Sequence, residues 1–541
     1  MAETALPDII VVGGGSAGCA MAGRLAENPD ISVLLIEAGG DKADIHTRVP
    51  AMVSRLVMNP RYDWMLPVEP DASVKGRADF WPAGKWLGGG SSINGMMYIR
   101  GNAHDYDHWA QLGATGWSYD DVLPYFRRME NNPREGRFHG KDGPMRVSES
   151  RLRYSVTDRW IESATHAGVP RCADLNGDGR VAEGVDHVQM SQTGGRRWSS
   201  ADGYIRNGKY GGRLTVMART SVRRIIVENG RACGVEIVEA GGAVRIIRAR
   251  RGVVLSAGAM GSPKLLMLSG IGPAAHLREQ GLEVVRDAPG VGTNLQDHVG
   301  LNIAWKIRGV SLNSEIRGLG LAKAGLEYLV RKTGMLTTAI AHAQAMIHTR
   351  PGLPAPNIQL AFSPFAFEVG ANGERFLPPE SSVSMLVCAL HPAARGTLLL
   401  RSPDPEAPPL IRHRLLGEDD EDLEQIVEGI EIARRIMAQA PLADEVVAEM
   451  KPGADIKGDA LRDFVRTVAM SCFHQVGTCR MGTDAMAVVD PSLRVHGVDG
   501  LWVADCSVAP SLVGANTNAT AIMIGDKGAD HVLAALGMGR N

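Results

Sequence analysis

Residues Asp8 to Gly40 read DIIVVGGGSAGCAMAGRLAENPDISVLLIEAGG, and this stretch predicts the fold around which the chain is built. Ile9 to Val12 is a short apolar run, rich in β-branched residues, as in a buried parallel strand. It ends in the pattern G-x-G-x-x-G, formed by Gly13, Gly15 and Gly18. The first glycine permits a tight turn, the second lets backbone approach a pyrophosphate, and the third lets a helix pack on the strand. The stretch therefore predicts a Rossmann-type dinucleotide-binding unit.

A second strand and a terminal acid strengthen this prediction. Ile31 to Ile36 is another apolar run, and Glu37 follows it, nineteen residues after Gly18. At this spacing an acid is expected to hold a ribose diol. The N-terminus of the intervening helix, with its free N–H groups and positive dipole end, would face the phosphates. The pattern does not distinguish NAD from FAD, and a glycine-rich turn without a ligand is the alternative.

Composition limits the function classes. The 541 residues carry a formal net charge of −2, with 44% hydrophobic and 22% charged residues, as in an ordinary globular protein. The charge gives no electrostatic reason to expect a nucleic-acid partner or an anionic membrane surface. Seven scattered cysteines fit a reducing compartment better than a disulfide framework.

The N-terminus predicts a cytoplasmic enzyme. The first eight residues contain Glu3 and Asp8 but no basic cluster, and the first apolar run is already the nucleotide-binding strand. We therefore expect no signal peptide. We also expect no integral membrane span, because no stretch approaches the required length. Peripheral attachment to the inner membrane, as for an enzyme that feeds a quinone, is compatible with the sequence.

A second glycine-rich motif, residues 84–101, reads GKWLGGGSSINGMMYIRG. Its backbone N–H groups could wrap a polar ligand, and a flexible loop is the alternative. Apolar side chains crowd the glycines, which favours a flat, partly apolar ligand; these are Trp86, Leu87, Ile93, Met96, Met97 and Tyr98.

Three motifs in order resemble the glucose–methanol–choline (GMC) family of flavoprotein oxidoreductases. Residues 84–101 followed by Asp107 match the first family signature, and GAMGSPKLLMLSGIG at 258–272 matches the second. GVGTNLQDH at 290–298 resembles a third family element, and Arg395-Gly396-Thr397 opens what resembles the C-terminal segment. The resemblance covers nearly the whole chain and implies FAD rather than NAD.

The resemblance also implies which residues contact FAD. It places Ser16, Ala17, Glu37 and Ala38 on the ADP half, and Leu87, Gly88, Asn94, Gly95 and Met96 along the ribityl chain and flavin ring. Val222 matches a position whose backbone contacts adenine, and Asp505 one near the ribityl chain; Trp64, Asn516 and Thr517 complete the predicted set with the three glycines. Some relatives bind FAD covalently through a histidine, but Ile93 stands there, so we predict non-covalent FAD.

The chemistry is predicted at residues 471–478, SCFHQVGT, where His474 matches the family histidine that faces the flavin. Many relatives have proline at Gln475, a departure expected to alter backbone stiffness more than chemistry. Alone, an isolated histidine is more often structural. Zinc through Cys472, His474 and Cys479 does not match a familiar spacing, so no metal is predicted.

The resemblance assigns catalytic roles to His474 and Asn518, forty-four residues apart. His474 would be the general base for the hydroxyl proton of an alcohol. Asn518, at a position that is His or Asn in relatives, would donate to the same oxygen and orient the carbon for hydride transfer to flavin N5.

The implied fold is α/β: a Rossmann-type FAD-binding lobe and an α+β substrate-binding lobe of antiparallel sheet and helices. We predict the FAD-binding lobe from residues 1–155, 200–305 and 455–541, and the substrate lobe from 156–199 and 306–454. Residues 301–392 look apolar and irregular. The acids at 418–422 are interpreted as a solvated helix cap rather than a metal or cationic-substrate site.

The expected reaction is oxidation of an alcohol to an aldehyde or ketone. The tail at residues 496–524 resembles a bacterial branch with choline, sorbose and other alcohol dehydrogenases and hydroxymethylfurfural oxidase, which favours a primary alcohol. A hydroxynitrile lyase of the same fold is the alternative, and a flavoprotein that uses FAD only for binding or signalling is a third class. Oxygen and a quinone-like compound both fit as acceptor, and the sequence does not indicate an oligomeric state.

Overall fold

The N-terminal motif lies at the centre of a five-stranded parallel sheet in the computed structural model, which describes residues 6–180, 183–316, 319–338, 340–369 and 375–539. Ile9–Val12 pairs with Val33–Ile36 on one side and with Gly252–Leu255 on the other. Leu214–Met217 and Leu501–Val503 form the two edges. The three central strands are buried along their whole length, as their continuous apolar runs predict.

Helices from distant parts of the chain pack on this sheet. Ser16–Glu27 follows the first strand and Gly258–Leu268 follows Gly252–Leu255, so each makes a strand–turn–helix unit. Ser16–Glu27 also packs closely on Asn518–Ala535, because Gly525 lies against the backbone of Ala17, where a Cβ atom would approach its carbonyl oxygen to 2.2 Å.

A seven-stranded antiparallel sheet forms the second large element. Its strands are, in order, Val446–Lys451, Val299–Ile307, Ser382–Ala389, Ile358–Ser363, Ala343–Ile347 and Gly184–His187, with Met470–Ser471 paired to the start of Val299–Ile307. Helices Glu421–Met437 and Ser155–His166 pack against it. The two sheets confirm the predicted class, a parallel nucleotide-binding sheet with an antiparallel sheet and helices beside it.

Residues 301–392, whose sequence pattern is apolar and irregular, supply most of four strands of the antiparallel sheet. Three of them are buried along nearly their whole length, so they lack the polar–apolar alternation that identifies a strand. The division into two lobes stays a prediction; its boundary at residue 305 falls inside Val299–Ile307.

Smaller elements surround the sheets. Three antiparallel strands are Thr220–Glu228, Arg231–Glu239 and Val244–Arg248, and a four-stranded sheet contains Gly396–Leu399, Leu410–His413, Leu66–Asp71 and Arg77–Trp81. Further helices are Ala103–Gln111, Tyr119–Met129, Ala274–Glu279, Leu319–Arg331 and Gly458–Val468. None of the helices in the described ranges has the length and hydropathy of a membrane span.

Candidate active site

A cavity of about 1000 Å³ opens at the carboxyl ends of the parallel strands and extends to the antiparallel sheet. This is where an α/β fold binds its ligands, and the volume suits a large cofactor together with a substrate. Sixteen of the predicted site residues line it: Gly13, Gly15, Ser16, Ala17, Glu37, Ala38, Trp64, Asn94, Gly95, Met96, Val222, His474, Asp505, Asn516, Thr517 and Asn518.

The first glycine motif has the geometry of a phosphate cradle. Gly13 has φ +99°, which favours glycine. A Cβ atom at Gly18 would lie 1.9 Å from the Gly13 carbonyl oxygen. Gly18 is outside the cavity lining, and its role is the close packing of helix on strand. The N-terminus of Ser16–Glu27 is left open to the cavity, where it can receive an anionic group.

Glu37 holds this glycine loop through its carboxylate. One oxygen accepts from the Gly14 N–H at 2.9 Å and the other from the Gly39 N–H at 2.7 Å. Burial raises the pKa of the carboxyl, against the two N–H donors. Since Glu37 also lines the cavity, it remains placed to accept from a ribose hydroxyl, and that contact stays a prediction.

Leu87 and Gly88, predicted to touch the cofactor, lie behind the cavity wall. The Gly88 N–H donates to the Gly14 carbonyl at 2.6 Å, and Leu87 is buried against the same loop. Leu87 and Gly88 of the second glycine-rich loop therefore support the first glycine motif, because the two loops pack against each other.

Arg197 fixes the second glycine-rich loop, and sequence reasoning missed it. Its Nη1 donates to Asn94 Oδ1 at 2.8 Å and its Nη2 to the Asn94 carbonyl at 2.6 Å. The guanidinium is buried, which lowers the pKa of Arg197 to about 9. No motif marks this residue; only the pairing of Gln192–Thr193 with Arg196–Arg197 brings it there.

Asp505 ties the C-terminal segment to the second family signature. Its Oδ2 accepts from the Gly258 N–H at 2.9 Å and from Ser262 Oγ, and its Oδ1 accepts from the Ser507 N–H. Burial raises the pKa of this carboxyl. Asp505 therefore lines the cavity, but both of its oxygens already accept hydrogen bonds. Oδ2 accepts from Gly258 and Ser262 of helix Gly258–Leu268, and Oδ1 accepts from Ser507.

His474 is held by a second histidine, His298, in a way that fixes its tautomer. The Nε2 of His298 lies 3.0 Å from the Leu390 carbonyl and must donate to it. Its Nδ1 is therefore an acceptor, and the Nδ1 of His474, 2.8 Å away, is the donor. This leaves the lone pair of His474 on Nε2. Burial lowers the pKa of His474 to about 4. Burial also lowers the pKa of His298 well below its usual value, so both rings are neutral at pH 7.

Asp297 fixes the backbone of the histidine loop. Its carboxylate accepts from the His474 N–H at 2.7 Å, from Gln475 Nε2 at 2.9 Å and from Ser471 Oγ. Burial raises the pKa of Asp297 to about 7 despite these donors. Gln475, the departure from the family pattern, thus contributes a side-chain donor that proline lacks.

The asparagine beside His474 is Asn516, not the predicted Asn518. The Asn516 Nδ2 lies 3.2 Å from His474 Nε2 and donates to it, while its Oδ1 accepts from Gln359. Asn518 is the first residue of helix Asn518–Ala535, which packs against helix Ser16–Glu27. Its Oδ1 accepts from Ser16 Oγ of that helix at 2.8 Å. The catalytic role of Asn518 stays a prediction, and Asn516 is the asparagine within hydrogen-bond distance of His474.

The cavity fits FAD. The Nδ2 of Asn518 is buried at the cavity wall without a hydrogen-bond partner among the described residues. Because buried donors are normally hydrogen-bonded, this amide is available to donate to a bound ligand. The glycine cradle and two helix N-termini face the same space. Ile93 also lines the cavity and offers no atom for a covalent link. No group of three or more histidine, cysteine or acidic side chains in the described ranges could hold a metal ion.

Comparison with known proteins decides the family. The GMC oxidoreductase model matches residues 7–300 with its N-terminal part and residues 392–525 with its C-terminal part. The chain belongs to the GMC oxidoreductase family. Its relatives include oxygen-dependent choline dehydrogenases from Brucella suis and Rhizobium etli, each 40% identical over 97% of this chain and 95% of theirs.

Solved structures agree with this membership. Pyridoxine 4-oxidase from Mesorbium loti is 30% identical with a TM-score of 0.84, covering 97% of this chain and 98% of its own. A formate oxidase variant from Aspergillus oryzae is 26% identical with a TM-score of 0.89, covering 98% of each chain. Membership confirms the predicted GMC fold, FAD as the non-covalent cofactor and FAD-dependent alcohol oxidation. The comparisons give no support to the lyase alternative.

Proposed function

We propose that the chain oxidises a primary alcohol to an aldehyde at the end of the cavity where His474 and Asn516 meet. The observation that carries this proposal is the free lone pair of His474 Nε2. The contact with His298 places the ring proton on Nδ1, and the Asn516 amide donates to Nε2. A neutral imidazole in this tautomer can accept a hydroxyl proton.

The protein groups have separate tasks in this proposal. The substrate hydroxyl donates to His474 Nε2, and the proton is then held there. The Nδ1–H to His298 keeps the ring in position while it becomes charged. Asn516 Nδ2 donates to the substrate oxygen and stabilises the negative charge that develops on it. When bound, FAD supplies the acceptor for the two electrons removed from the alcohol.

The lining of this end of the cavity favours an uncharged, apolar substrate. Phenylalanine, methionine and aliphatic side chains dominate it: Phe365, Phe367, Phe473, Met335, Leu336, Ile340 and Leu386. Among the described residues, the lining contains three carboxylates. Glu37 and Asp505 are engaged by backbone N–H donors at the glycine loop and at Gly258, and the exposed Glu406 interacts with the Lys264 ammonium, which lines the same cavity. Burying a cation without a paired carboxylate is costly, so we propose a neutral alcohol even though the relatives are choline dehydrogenases.

Choline and its uncharged isostere, 3,3-dimethyl-1-butanol, test both parts of the proposal. Each is mixed without oxygen with the FAD-loaded protein, and the visible absorbance of the flavin is followed. We expect the isostere to bleach the flavin faster than choline at equal concentration. Faster bleaching by choline would contradict the neutral-substrate proposal, and no bleaching by either compound or by benzylic alcohols would contradict the primary-alcohol proposal.

The same sample distinguishes the electron acceptors. We propose oxygen or a quinone-like compound, and the oxygen-dependent relatives favour oxygen. Prompt recovery of flavin colour after air is admitted supports oxygen. Recovery only after a soluble quinone is added would assign the quinone instead.

A further inference from the structure

Helix Leu319–Arg331 exposes a large apolar face. Leu326, Leu329 and Val330 are 65%, 69% and 72% exposed. Their spacing of three and four residues places them on one side of the helix, whereas Ala324 and Tyr328 are buried on the other. Neighbouring apolar side chains so fully exposed to water mark an interaction site.

Basic side chains lie on this helix and beside it. Lys323 and Arg331 are exposed on the helix itself, and the Lys332 ammonium lies 4.6 Å from the centre of the Tyr328 ring. Two exposed arginines come from neighbouring segments, Arg48 and Arg196, which both act electrostatically on Tyr328. The one acid of the helix, Glu327, accepts from Thr333 Oγ1. The local charge is therefore positive, although the formal net charge of the chain is −2.

The apolar face continues into the mouth of the cavity. Met335 and Leu336, just after the helix, line the cavity. Ile340 and Phe376 also line it and are 43% and 46% exposed. Apolar side chains that line the cavity therefore follow the helix in sequence, and the lining is exposed to solvent at Ile340 and Phe376.

We propose that this helix face and its basic residues bind the surface of an anionic phospholipid bilayer, with the mouth of the cavity against the membrane. An amphipathic helix with exposed leucines and lysine or arginine neighbours lies in the interface between head groups and acyl chains. Each basic residue near the surface adds attraction to anionic lipid. Apolar compounds dissolved in the bilayer would then reach the cavity directly, whatever the substrate is.

Co-sedimentation of the FAD-loaded protein with vesicles tests this proposal. The vesicles contain phosphatidylcholine with phosphatidylglycerol, or phosphatidylcholine alone. The test variant is Leu326→Glu with Leu329→Glu, and the matched control is Val244→Glu with Ile246→Glu, exposed apolar residues of a strand elsewhere on the surface. We expect wild type and control to bind the anionic vesicles. The affinity of the helix variant for these vesicles should be lower by about ten-fold or more. Binding of wild type should decrease as salt is added.

Other outcomes overturn the proposal. These are no binding of wild type to anionic vesicles, or equal binding of the helix variant. A third is a protein dimer, seen by light scattering, that is lost in the helix variant while no protein binds lipid; the face would then join two copies of the chain. Turnover of a water-soluble alcohol without vesicles should be equal in all three proteins, which shows that the variants are folded.

Discussion

At the scale of single residues, the contact between His298 and His474 determines what the site can do. The sequence marks both residues, because each ends or begins a family-like motif. It does not show that they touch, since this depends on the register that pairs Val299 with Ser471. The sequence also does not show which of two asparagines, Asn516 or Asn518, lies beside His474, because only the start of the helix separates their directions.

Replacing His298 tests its role as a positioning residue. We expect His298→Leu to lower kcat by about 10- to 100-fold, as for other residues that orient a catalytic ligand, because His474 Nδ1–H loses its acceptor. His298→Gln should recover part of this loss, since an amide can accept from His474 and donate to Leu390. FAD content measures folding of both variants. Equal loss in the two variants would mean that the histidine serves packing alone.

At the scale of secondary-structure elements, the sequence predicts strands and helices well where glycines and runs of apolar residues determine the local structure. The first strand was predicted at Ile9–Val12 and is found there. The acids at 418–422 were interpreted as a helix cap, and the helix Glu421–Met437 begins among them. Residues 214–227, rich in β-branched residues, form two strands of different sheets on either side of Arg219, which has φ +52°. A positive φ at a non-glycine residue depends on tertiary packing that periodicity does not encode.

Two helix glycines offer a matched test of the packing of helix on strand. Gly18→Ala would place a methyl group 1.9 Å from the Gly13 carbonyl, whereas a Cβ at Gly325 has nothing within 4 Å. We expect Gly18→Ala to lose about 1–3 kcal/mol of stability and to purify with less FAD. Gly325→Ala should be neutral or gain up to about 1 kcal/mol. Chemical denaturation and the flavin absorbance measure both effects, and wild-type FAD content in Gly18→Ala would contradict the packing role.

At the scale of the whole molecule, the site is assembled from segments that are far apart in sequence. The glycine loops, the histidine loop and the start of the C-terminal helix line one cavity. Asp297 and His298 hold the histidine loop in place. Sequence motifs identify most of these segments. Residues without a motif, such as Arg197 and Gln359, were missed because their roles follow only from the folded contacts.

Buried histidines should make the stability of the molecule pH-dependent. His413 is buried, neither ring nitrogen has a hydrogen-bond partner among the described residues, and burial lowers its pKa to about 4. The unfolded chain binds this proton near pH 6.5, so stability is lost as pH falls from about 6.5 towards 4.

His413→Phe removes this one proton and keeps a ring against Trp81. Relative to wild type, the variant should gain about 1.4 kcal/mol of unfolding free energy for each pH unit between 6.5 and 4. Urea denaturation at pH 5 and pH 8 measures the gain. A difference between variant and wild type that does not change with pH would show that the pKa of His413 is the same in the folded and unfolded protein, which contradicts the effect of burial.

The measurement that tests the central claim most directly is the rate at which an alcohol reduces the flavin of His474→Ala without oxygen. The claim is that His474 Nε2 accepts the hydroxyl proton, so the rate should fall by about 10²- to 10⁴-fold. FAD should stay bound, because the glycine loops that are predicted to hold it are unchanged in this variant. A rate near that of wild type, with full FAD content, would contradict the claim.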